Sequence, residues 1–64
     1  MKRKELKNLA QKIAAAEIII QTSDDNYAKQ KAQADILELS GHAKTVEEML
    51  ALDEMIQKIL EEKA

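Results

Sequence analysis

The segment TVEEMLALDEMIQKIL, residues 45–60, decides the fold class. Met49, Leu52, Ile56 and Ile59 recur at spacings of three, four and three, which stacks them on one face of an α-helix. Val46, Leu50, Met55 and Leu60 lie beside that stripe. Thr45 and Glu48 stand three residues apart just ahead of it. That is a capping box, in which each side chain satisfies a backbone amide that the first helical turn leaves without a partner. Glu47 and Glu48 also place negative charge at the positive end of the helix dipole. Together these signals predict a helix over about residues 46–62.

Ahead of this segment, Gly41 lies where a residue in the left-handed region commonly ends a helix, and His42-Ala43-Lys44 completes a loop. Ala28, Ala32, Ile36 and Leu39 form the stripe of an earlier helix, over about residues 24–39, with Tyr27 and Leu37 on its flanks. Its two alanines allow close helix approach but bury little area. Before it, Thr22-Ser23-Asp24-Asp25 carries short polar side chains that compete for backbone hydrogen bonds, so it reads as a loop and a helix cap. Leu6, Leu9, Ile13, Ala16 and Ile20, with Ala10 beside them, then mark a first helix over about residues 4–21. Two short loops joining three helices predict one all-α domain, a small up-down-up three-helix bundle. The competing arrangement exchanges one helix between two chains.

Sixty-four residues bury only about 60% of the unfolded surface, so the core is marginal. Small domains usually add a disulfide, a metal or an oligomer interface. There is no Cys and only one His, so neither a disulfide nor a zinc site is expected, and oligomerisation is. No apolar run approaches the ~20 residues that span a membrane. The basic start Met1-Lys2-Arg3-Lys4 is not followed by a small-residue cleavage pattern. These features point to a cytoplasmic protein without a membrane segment.

Catalytic signals are missing. His42 sits in a polar loop with no Ser, Cys or Asp at a triad or metal spacing. Asp24-Asp25-Asn26 lacks the glycine and terminal glutamate of a calcium loop. Glu47/Glu48, Asp53/Glu54 and Glu61/Glu62 are adjacent on a helix and point about 100° apart, so they do not form carboxylate pairs. The expectation is a protein that is not an enzyme and carries no cofactor. Asp53 falls on the apolar stripe of the third helix, either as a buried polar group or at the stripe's edge facing a lysine. Tyr27 either caps the bundle end or anchors a partner.

Two features bear on function. The first is apolar surface beyond one stripe. Three consecutive isoleucines, Ile18 to Ile20, cannot all face one core, and the apolar residues of the third helix cover an arc of about 220°. Either those helices lie between two neighbours, or Ile18, Ile19, Met55, Ile59 and Leu60 form an interface with a second copy or another protein. The second feature is a charge gradient. Residues 1–20 carry five bases and two acids, whereas residues 42–64 carry three bases and six acids. Charge complementarity within or between chains is the first account of this, and a plain solvated terminus is the second. The alternative is an anionic partner, such as nucleic acid, held by Lys2, Arg3, Lys4 and Lys7. The net charge of −2 and the single aromatic residue argue against that partner. A helix-turn-helix reading fails because Glu47 and Glu48 open the helix that would meet phosphate.

The stretches KELKNLAQKIA, residues 4–14, and MLALDEMIQKIL, residues 49–60, resemble short, all-helical, uncharacterised proteins of Gram-positive bacteria and their phages. That resemblance implies a regulatory or counter-defence adaptor acting by binding a host protein. It carries no functional residue. The sequence therefore reads as a non-enzymatic protein–protein interaction or assembly module.

Overall fold

The computed structural model describes residues 2–63 and is all-helical over them. The helices are α1 (Arg3–Thr22), α2 (Asn26–Ser40) and α3 (Val46–Lys63). Each differs from its sequence expectation by at most two residues at either end. The start of α2 moves most. Asp25 caps it, its carboxylate accepting from the Tyr27 amide at 3.0 Å, so Asp24 stays in the loop. Ser23 Oγ accepts from the Asp25 amide at 3.1 Å and tightens that loop. The capping box of α3 forms as expected. Thr45 Oγ1 accepts from the Glu48 amide at 3.1 Å, and Glu48 Oε1 accepts from the amides of Lys44 and Thr45 at 3.3 Å each. Thr45→Ala is expected to lower stability by about 1 kcal/mol in a thermal melt, with Thr45→Ser close to the parent.

Gly41 corrects the sequence reading. Its φ of −65° and ψ of −15° are right-handed, not left-handed. The helix runs into tight turns in which the His42 amide donates to Leu39 O and the Ala43 amide donates to Ser40 O, and these keep the chain right-handed. A Cβ at this position would meet Glu38 O at 3.3 Å, a close contact but not a clash. The stiffer unfolded chain of an alanine variant offsets that crowding. Gly41→Ala is therefore expected to change stability by less than about 1 kcal/mol. A loss of several kcal/mol in chemical denaturation would mean the loop needs glycine for another reason.

Helix α1 lies between the other two. It packs along both α2 and α3, whereas α2 and α3 touch each other only marginally. Lys12, Ala16 and Ile19 share a surface with Asp35, Glu38 and Leu39, and Asn8 and Leu9 share one with His42. The early part of α1 thus meets the late part of α2, so these two helices are antiparallel. The core is thin. Among the described residues the buried apolar set is four large side chains, Leu6, Ile13, Leu52 and Ile56, and five alanines, Ala10, Ala14, Ala16, Ala32 and Ala43. Ile36, Leu39, Met55, Ile59 and Leu60 pack against it while half-buried.

Candidate protein interface

With α2 and α3 barely touching, an open groove of about 310 Å³ runs between them. Ile13 of α1 forms its floor, Ile36 lines the α2 side, and Met49, Leu52 and Ile56 line the α3 side. Val46, Met49 and Leu50 are 71, 51 and 61% exposed. Their i, i+3, i+4 spacing sets them on one face of α3. Leu37, 75% exposed, stands about 100° round α2 from Ile36, outside the groove. Monomeric domains seldom display so many large apolar side chains side by side without use for them. The polar lining of this groove is Glu17, Ser40 and Asp53, so it holds two carboxylates and no base. Asp53 is exposed at the groove's rim, and Glu17 lines the same groove.

A second seam lies where α3 meets α1. There Arg3, Lys7 and Lys58 surround Met55 and Ile59, with Glu62 as the one acid, in an open groove of about 310 Å³. The basic start of α1 is therefore set beside the second half of α3 at this seam. Ile18 and Leu60 meet at a separate surface, with Gln21, Thr22 and Lys63.

The five apolar residues singled out in the sequence divide between surfaces. Met55 and Ile59 are half-buried in the basic α1–α3 groove, and Ile18 and Leu60 are half-buried at a separate meeting of α1 and α3. Ile19, 42% exposed, lies on the other flank of α1 against α2, beside Ala15 and Asp35. Lys2, Arg3, Lys4 and Lys7 are all exposed over the first turns of α1. The strongest exposed cluster, Val46, Met49 and Leu50, was not among the sequence candidates. Its signal was present in the wide apolar arc of α3. Met49 sits on the central stripe of that arc, and nothing in the pattern says that α2 fails to cover it. Tyr27 stands 74% exposed at the start of α2 and seals no core.

Among the described residues no group of three or more His, Cys, Asp or Glu is placed to hold a metal, and no helix is long and apolar enough to cross a membrane. No family model, curated protein or solved structure matches the chain. Fold and surface together define a small three-helix protein with two apolar seams beside α3.

Proposed function

We propose that this chain is a non-enzymatic assembly module that self-associates through apolar helix faces. The observation that carries the reading is the uncovered groove between α2 and α3, with Met49 lining it and Val46 and Leu50 exposed beside Met49 on α3. Four large buried side chains among the described residues make a lean core for a chain of this length. Closing a neighbour over the groove adds buried area without any change of fold.

The test is absolute mass by light scattering across a dilution series. A species heavier than the 7.2 kDa chain is expected, with a midpoint that shifts with concentration. Replacing Met49 and Leu50 by Lys removes two interface side chains worth about 2 kcal/mol together, so association is expected to weaken about thirtyfold while helicity by circular dichroism is kept. A parent protein that stays monomeric at millimolar concentration rejects the reading.

The nucleic-acid alternative draws on Arg3 and Lys7, which share their seam with Lys58. That seam is half apolar and holds no aromatic residue to stack on a base. Retention of DNA or RNA that falls steeply with salt would favour it over assembly.

A further inference from the structure

The two seams beside α3 carry opposite charge. The α2–α3 groove is lined by two acids, Glu17 and Asp53, and no base, a formal −2. The α1–α3 groove is lined by three bases, Arg3, Lys7 and Lys58, and one acid, Glu62, a formal +2. Both hold apolar side chains at their centre, Met49 and Leu52 in the first, Met55 and Ile59 in the second. An apolar centre with a charged rim is the usual anatomy of a protein interface.

We infer that copies of this chain join head to tail, the basic α1–α3 seam of one copy seated on the acidic α2–α3 seam of the next. This rests on the self-association reading and adds its polarity. A two-fold contact that sets one seam on itself puts acid facing acid or base facing base, and like charges at close range oppose it. Opposite seams remove that repulsion and match apolar centre to apolar centre. A joined pair then keeps one free seam of each sign, one on each copy. The assembly grows until the rotation between copies closes a ring, or continues as a filament.

Two variants test the polarity. In one, Met49→Lys with Asp53→Lys reverses the acidic seam. In the other, Lys7→Glu with Lys58→Glu reverses the basic seam. All four positions are exposed, so the helical fold is expected to persist. Circular dichroism checks this, and Lys58→Glu alone serves as a milder second variant. A head-to-tail contact predicts that each double variant alone associates at least tenfold more weakly than the parent by light scattering. Mixed one to one, they regain association, because the intact basic seam of the first meets the intact acidic seam of the second. A two-fold contact predicts instead that one of the two variants associates like the parent, where it sets one seam on itself, or that the parent stops at a dimer, where it pairs the two seams reciprocally. Either result, or a mixture no heavier than its components, overturns the polarity and leaves self-association standing. A monomeric parent removes both.

Discussion

Ile13→Ala is expected to lower the melting temperature by about 15 °C or more, the largest effect of any single truncation in this chain. Ile13 is 2% exposed and is the largest fully buried side chain among the described residues. It belongs to the main core cluster and also forms the floor of the α2–α3 groove. Truncating such a residue removes its transfer free energy and leaves a cavity, at a cost of about 2–5 kcal/mol. A domain of this size holds about 3–10 kcal/mol in total. Each kcal/mol moves the melting point of so small a domain by about 4–8 °C. Melts belong at one fixed protein concentration, since association would itself raise stability. Leu37→Ala is the control. Leu37 is mostly exposed, so its truncation is expected to shift stability by no more than about 0.5 kcal/mol. If Ile13→Ala melts within a few degrees of the parent, the core is not centred on α1.

Much of this fold could be read from residue spacing. The 3-4 spacing of Leu6, Leu9, Ile13 and Ala16, the Thr45/Glu48 capping box and the polar run 22–25 each report on the local chain, and local chemistry places helix ends. The neighbours of a helix face are not a local property. Met49 lies on the same stripe as Leu52 and Ile56, yet it is half uncovered where they are buried. The difference comes from α2, whose stripe alanine Ala32 is buried while the bulky Leu37 stands out in solvent. Helix α2 therefore hugs α1 and leaves α3 uncovered on that side. Gly41 failed for a related reason. A lone glycine after a helix fits a left-handed end, but the hydrogen bonds that close the turn onto Leu39 and Ser40 do not require one.

The candidate surface was half legible. The excess of apolar residues on α3 is visible in the sequence, and so is the charge difference between the two ends of the chain. Which apolar residues stand beside which charges is not. Ile18 and Ile19 are sequence neighbours, yet α1 turns about 100° between them and sends Ile18 toward α3 and Ile19 toward α2. Arg3 and Lys58 are far apart in sequence and line one groove. The opposite signs of the two grooves appear only once α3 is laid beside α1 on one side and left open to α2 on the other.

The buried alanines give the second large effect. Ala10 and Ala14 are both 0% exposed, in the middle of the helix that touches both others. Alanine is also the best helix former, so its presence there has two explanations. Substitution with leucine separates them. If alanine is there for propensity, Ala10→Leu costs little, because leucine ranks close behind it. If alanine is there because α1 is closely packed on both sides, the added side chain has no room, and overpacking costs about 1–3 kcal/mol or more. The second outcome is expected, a fall in melting temperature of about 5–15 °C. Ala15→Leu is the matched control on the same helix. Ala15 is exposed, so its change is expected to be nearly neutral. Equal melting points for the two variants would mean that Ala10 is not confined between its neighbours. A large gap would mean that the close approach of helices sets the residue there. In that case side chains larger than alanine are tolerated only on the faces that α2 and α3 leave uncovered, which are the faces available for a second copy.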